Sequence, residues 1–153
     1  MKICVCSDSH GNREGLMRLL ALEKPDGLLF CGDGSDDFGG VTLPAKTMFV
    51  AGNCDFFSKE PLTRELVWEG VRIFMTHGHR YMVKRTMDVL LSEGYARDAQ
   101  VVLYGHTHMQ NAEYHGGLLL LNPGTMSRYN QYYAILTVTN GVYDCELKQL
   151  SLR

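Results

Sequence analysis

Five times along this chain a short apolar run breaks off into a cluster of glycine, serine, aspartate, asparagine or histidine. Residues 2–7 lead to Asp8 and His10, and residues 27–31 lead to Gly32 and Asp33. Residues 47–51 lead to Gly52 and Asn53, residues 71–76 to His77 and His79, and residues 101–104 to Gly105, His106 and His108. A run that is apolar at odd and even positions alike has no face to give to water, so each reads as a strand covered on both sides. The polar residues that close such runs then gather at the carboxyl ends of strands, where open α/β sheets bind their ligands. Of the six histidines, only His115 lies outside the pattern.

The connections between the runs set the fold class. Gly11 turns the chain, and Asn12 caps a helix with Leu16, Met17, Leu19 and Leu20 at helical spacing. Lys24 and Pro25 end it. The result is a β-α-β unit, whose two strands run parallel with neighbouring carboxyl ends. Residues 34–40, rich in Gly and Asp, read as a loop with a short helical turn before Lys46. Residues 64–68 and 71–76 flank Glu69 and Gly70 as a hairpin, an antiparallel component. A second helix carries Val83, Met87, Leu90 and Leu91 on one face and closes at Gly94. From Met109 the pattern becomes meandering β, with turns at Gly116-Gly117 and Asn140-Gly141, and is expected to form a second sheet packed on the first. Residues 1–153 read as one α/β domain.

Composition removes several function classes. At 153 residues, 45% apolar and 21% charged, the chain has the material for an ordinary globular core. No apolar run approaches the ~20 residues that span a bilayer, so no membrane partner is expected. No long apolar segment precedes Ser7, and a cytoplasmic location is expected. Five cysteines without a CxxC pair fit reduced thiols packed as small hydrophobes. A net charge of −2 provides no extended nucleic-acid surface. Arg80, Lys84 and Arg85 form a small basic cluster, either a solvated helix face or a local attraction for an anionic substrate.

Asp8, His10, Asp33, Asn53, His77, His106 and His108 are the candidate metal ligands. Imidazole and carboxylate donors without thiolate suit Mn, Fe, Zn or Ni and are too nitrogen-rich for a dedicated Mg or Ca cage. The set exceeds the needs of one tetrahedral ion and suffices for two if a carboxylate bridges them. Two metals ~3.5–4 Å apart form the clamp used for in-line displacement at phosphorus. On an extended segment His106 and His108, two residues apart, would lie on the same side and could share one ion.

Taken in order, Asp8 and His10, Gly32-Asp33, Gly52-Asn53-Cys54-Asp55, His77-Gly78-His79 and Gly105-His106-Thr107-His108 resemble the motifs of the calcineurin-like metallophosphoesterase superfamily. With its short length and the late segment Asn122-Pro123-Gly124-Thr125, the chain is similar to the small single-domain prokaryotic phosphodiesterases of that superfamily. The resemblance implies a four-layer α/β/β/α sandwich of two mixed β-sheets flanked by helices, the metallo-dependent phosphatase fold. It implies Asp8, His10 and His108 on one ion and Asn53, His77 and His106 on another, with Asp33 between them. The implied reaction is attack of a metal-bridging hydroxide on a small phosphate ester. Two divalent ions serve it, manganese preferred, with nickel, iron, zinc or magnesium as alternatives. Asn53 could also donate an amide hydrogen bond to a phosphoryl oxygen, which a carboxylate could not.

Cys54 departs from the wider superfamily, where a histidine that protonates the leaving group commonly follows the ligand asparagine. A thiol replaces an imidazole acid poorly. Either His79 or a metal-bound water is expected to supply that proton, or the leaving group needs little help, and a phosphodiester is the favoured substrate. Asp55 is expected to orient a ligand or to cap its own loop. Arg128 is expected to hold a substrate phosphate or to form a surface ion pair. Asp36 and Asp37 read as solvated carboxylates. Phe56, Phe57, Tyr129, Tyr132 and Tyr133 offer a homo-oligomer interface or belong to the core. Two readings compete with the enzyme: a scaffold protein of the same fold, which has no need of all seven donors, and a nuclease, which calls for a longer basic track.

Overall fold

Strand β1 (Lys2–Cys6) sends successive side chains to opposite faces, and both faces are covered. Ile3 and Val5 lie in one buried cluster, Cys4 and Cys6 in another. The computed structural model describes residues 1–151, and the same alternation runs through its other central strands. In β2 (Gly27–Phe30), Leu29 joins the first cluster while Leu28 and Phe30 join the second. Strands β5 (Val71–Thr76), β6 (Val101–Leu103) and β8 (Leu118–Asn122) divide between the first cluster and a third. Three clusters mean three spaces between four layers. Helix α1 (Arg13–Glu23) covers one sheet through Leu16 and Leu19, the sheets face each other across the first cluster, and α2 (Asp88–Ala96) covers the second sheet through Leu90. Each fully buried Leu, Ile or Phe contributes about 1.5–3 kcal/mol of apolar burial to this arrangement.

With β3 (Lys46–Phe49), β4 (Thr63–Trp68), β7 (Asn111–His115), β9 (Tyr132–Thr139) and β10 (Val142–Gln149), the sheet orders are β10-β9-β1-β2-β3 and β4-β5-β6-β8-β7. β1, β2 and β3 are parallel, as are β5, β6 and β8. Their carboxyl ends therefore form two rows, one on each sheet. Asn12 caps α1 as expected, its Oδ1 accepting the Gly15 N–H at 3.0 Å. Lys24 ends it in a left-handed conformation with its N–H on Leu20 O. Among the described residues no helix is long and apolar enough to cross a membrane.

Three expectations are corrected. The late strands do not make a sheet of their own: β7 and β8 join the β4–β5 hairpin and β6, while β9 crosses to pair antiparallel with β1, carrying β10 with it. The second helix starts at Asp88, because Met82 takes a left-handed backbone (φ 57°) and breaks the preceding segment into turns. Gly94 lies inside that helix, not past its end. A Cβ there would sit 2.8 Å from Val102 Cγ2 and 3.0 Å from Leu118 Cδ1, so glycine lets α2 rest directly on the sheet. Among the aromatic candidates, Tyr133 belongs to the core, whereas Phe56, Phe57 and Tyr129 are well exposed.

Candidate metal centre

The two rows of strand ends meet. From the first sheet come Asp8 and His10 after β1, Asp33 after β2 and Asn53 after β3; from the second come His77 after β5 and His106 and His108 after β6. Donor atoms of Asp8, His10 and His108 converge in one group, and those of Asp33, His77 and His106 in another, each within 4.8 Å. Each group draws on both sheets. His10 Nε2 and His108 Nε2 lie 3.3 Å apart, and Asp8 Oδ1 is 3.2 Å from His108 Nε2 and 3.6 Å from His10 Nε2. In the other group His77 Nε2 is 3.3 Å from Asp33 Oδ2 and 3.2 Å from His106 Nδ1. Asp8 Oδ1 and His77 Nε2, 3.8 Å apart, bring the two groups into contact.

The surroundings fit cations. Asp8 is fully buried, and its Oδ2 accepts from Ser7 Oγ at 2.5 Å and from the His106 N–H at 3.1 Å. Its Oδ1 is also buried, has no hydrogen-bond partner among the described residues, and lies within 4 Å of the Nε2 atoms of His10, His77 and His108. A bound cation would supply the missing partner, which a buried carboxylate oxygen otherwise lacks at considerable cost. His77 Nδ1 lies 2.7 Å from Cys31 O, a contact that puts the proton on Nδ1 and leaves Nε2 free to ligate. Burial pushes the Asp33 carboxyl up, but the His77 contact and the Cys54 N–H on Oδ1 (2.8 Å) outweigh it and hold the group ionised. Burial draws His77 down, and the neighbouring Asp33 and Asp8 raise it overall. His106 is lowered by burial and by the charges of His77 and Lys84.

Local backbone explains why these side chains diverge from ordinary strand geometry. Asp8, His10, Asp33, His106 and His108 all have left-handed backbones, with φ between 43° and 69°. Such residues cost roughly 1–2 kcal/mol each and persist where the surroundings dictate them, characteristically at functional sites. The segment after β6 is therefore not extended. Its two left-handed turns send His106 and His108 to different donor groups, whereas an extended segment would have set them side by side. Gly52 and Gly105 allow the packing: a Cβ on Gly52 would stand 2.1 Å from Asp33 Oδ1, and one on Gly105 2.1 Å from Ser7 Oγ.

Asp55 caps its own loop and the one beside it. Its carboxylate accepts the N–H groups of Asp33, Gly34 and Gly52 at 2.7–2.9 Å, tying the loop after β2 to the loop after β3. Asp37 is not merely solvated, because it accepts from Ser9 Oγ (2.6 Å) and the Gly11 N–H (2.8 Å) and so fixes the loop that carries His10. Asn122 is buried and donates to Gly105 O and Thr107 Oγ1, and Thr125 Oγ1 donates to Asp8 O at 2.8 Å. Ser7 and Asn122 could have been found from one signal, a polar residue closing a fully apolar strand; Thr125 lies three residues past β8 and carries no such mark.

Asn53 is exposed, its amide 3.6 Å from Cys54 Sγ. The Cys54 thiol is raised by burial and by Asp33, so it stays protonated at neutral pH. His79 stands beside both imidazoles of the second group, with ring centroids 5.5 Å from His77 and 6.2 Å from His106. Arg128 forms no ion pair among the described residues; its guanidinium donates to Gly11 O at 3.2 Å, next to His10.

Two packed mixed sheets with strand-end carboxylates and imidazoles in two groups define a metallophosphoesterase fold with a candidate metal centre. The chain belongs to the calcineurin-like phosphoesterase superfamily, whose domain it matches over residues 1–141. It is 32% identical to the probable metallophosphoesterase YsnB of Bacillus subtilis over 149 residues, 92% of this chain and 86% of that protein. It is 28% identical to the Escherichia coli phosphodiesterase YfcE, with 83% of this chain and 80% of YfcE covered. A solved Streptococcus pneumoniae structure, described as a predicted phosphoesterase, superposes with a TM-score of 0.82 at 26% identity, covering 97% of this chain and 88% of that one. A Vps29 variant from Entamoeba histolytica shares the fold, with a TM-score of 0.81 at 19% identity over 99% of this chain and all of that one.

Proposed function

We propose that this chain is a phosphodiesterase working with two divalent ions, manganese the preferred guess. The observation that carries the reading is the convergence of Asp8, His10 and His108 beside Asp33, His77 and His106, with Asp8 Oδ1 buried and unpartnered between them. Those residues would hold the ions, with Asn53 as a further ligand of the second group and Asp33 shared. Bound divalent ions supply a water of lowered pKa as nucleophile and neutralise charge on the phosphoryl oxygens. The chain's own groups do the rest. Asn53 donates an amide hydrogen bond to a phosphoryl oxygen, and Arg128, held by Gly11 O, contacts the substrate phosphate. His79, beside the second group, delivers a proton toward the leaving group. Free cysteines throughout, three of them fully buried, accord with a reducing compartment such as the cytoplasm.

The test is metal analysis of the purified protein coupled to turnover of bis(p-nitrophenyl) phosphate and p-nitrophenyl phosphate. Two ions per chain and faster diester hydrolysis are expected, with both lost after chelation and restored by Mn²⁺. A fully loaded protein that hydrolyses neither ester would overturn the reading in favour of a scaffold.

A further inference from the structure

Beside the second donor group lies a cavity of about 240 Å³ lined by His79, Met82, Val83, Lys84, Arg85 and His106. His106 is common to this cavity and to the candidate metal centre. Lys84 and Arg85 of this lining belong to the basic cluster that the sequence left open between a solvated helix face and an anion contact. It is no helix face, because residues 80–87 form turns that precede α2. Those turns are fixed: Tyr81 N–H donates to Gly78 O, Arg85 N–H and Thr86 N–H donate to Met82 O, and Val83 is anchored among Phe74, Leu90 and Tyr104. Lys84 and Arg85 are thus displayed from a rigid base. Among the described residues neither forms an ion pair with any carboxylate, so two cationic groups face the cavity without an internal counter-charge.

We propose that this cavity is a second anion subsite, in which Lys84 and Arg85 hold a further phosphate of the substrate while the scissile diester lies at the metal centre. The inference rests on the phosphoesterase reading and names its substrate class: a phosphodiester that carries an additional phosphate monoester. A charged pair at the rim of a partly enclosed pocket recognises such a group by charge-assisted hydrogen bonds, the Arg fork bidentately. Both side chains are exposed, so with solvent screening the pair together is worth about 10-fold in affinity.

Two substrates that differ only in that group make the test. Thymidine 5′-(p-nitrophenyl phosphate) has the diester alone, and its 3′-phosphorylated counterpart adds the monoester. With the Mn²⁺-loaded protein, KM for the second is expected to be about 10-fold lower, and the ratio of the two KM values should fall toward one in K84Q/R85Q. Calorimetric binding of thymidine 3′,5′-bisphosphate against thymidine 5′-monophosphate gives the same ratio without turnover. If neither ester is hydrolysed but the binding ratio holds and collapses in the variant, the catalytic reading fails and the subsite stands. A wild-type ratio near one, or an equal loss for both ligands in the variant, overturns the subsite.

Discussion

Glu23 closes α1 in a place where its charge can be weighed. It is 7% exposed, and its carboxylate takes Lys148 Nζ and Tyr133 OH at 2.7 Å and Lys2 Nζ at 2.9 Å. These partners belong to β10, β9 and β1, so one carboxylate pins the helix to three strands. Burial alone would raise its pKa, but the bonds from Lys148, Lys2 and Tyr133 win and bring it from 4.5 to about 2. That depression corresponds to about 3 kcal/mol of folding free energy. Lys2 and Lys148 are 41% and 33% exposed, and solvent screening of them brings the working figure to about 2 kcal/mol. Because the folded pKa is the depressed one, the contribution is complete above pH 4.5 and disappears as pH falls toward 2. Glu23→Gln keeps the shape and removes the charge. Urea denaturation should find the variant about 2 kcal/mol less stable at pH 7, or about 4–8 °C lower in Tm, with the gap reduced by about half at pH 3. A gap that is absent at pH 7, or unchanged between pH 7 and pH 3, would refute the reasoning.

Three further outcomes test the site and its supports. Gly52→Ala places a methyl 2.1 Å from the present position of Asp33 Oδ1, and elemental analysis should find fewer metal equivalents per chain than in the wild type, together with a loss of about 1–3 kcal/mol of stability. Asn122→Ala removes the amide that bridges Gly105 O and Thr107 Oγ1, which keep only the N–H groups of Thr107 and Met109, and a Mn²⁺ titration should show affinity about 10-fold weaker while unfolding shifts by about 0.5–1.5 kcal/mol. Gly94→Ala drives a Cβ into Val102 and Leu118 beneath α2, in contact with none of the candidate ligands; melting should fall by an amount equivalent to about 1–3 kcal/mol with metal content unaltered.

Much of the fold was legible because a strand buried on both faces must be apolar at every position. That rule located β1, β2, β6 and the polar residues that follow them. It could not place the late strands, since a meander looks the same whether it stays in one sheet or changes sheets between β8 and β9. Helical spacing from Val83 to Leu91 also misled: Val83 is buried, but from a turn, and the helix itself begins only at Asp88. Ser7 and Asn122 carried a local sign of interest without a local sign of role, and Thr125 carried neither. Their partners are 1, 17 or 15, and 117 residues away, and all but the first lie beyond the reach of a sequence pattern.

By itself the sequence determined the donor inventory and its delivery to strand carboxyl ends, because side-chain alternation and burial act over a few residues. The division of those donors into two groups was decided only in the tertiary structure. Each group takes carboxylate and imidazole from different sheets, so neither exists until the sheets pack across the core formed by Ile3, Val5, Met75 and Leu103. Left-handed backbones at His106 and His108, held by contacts such as the Asn122 amide on Gly105 O, then turn two near neighbours toward opposite groups.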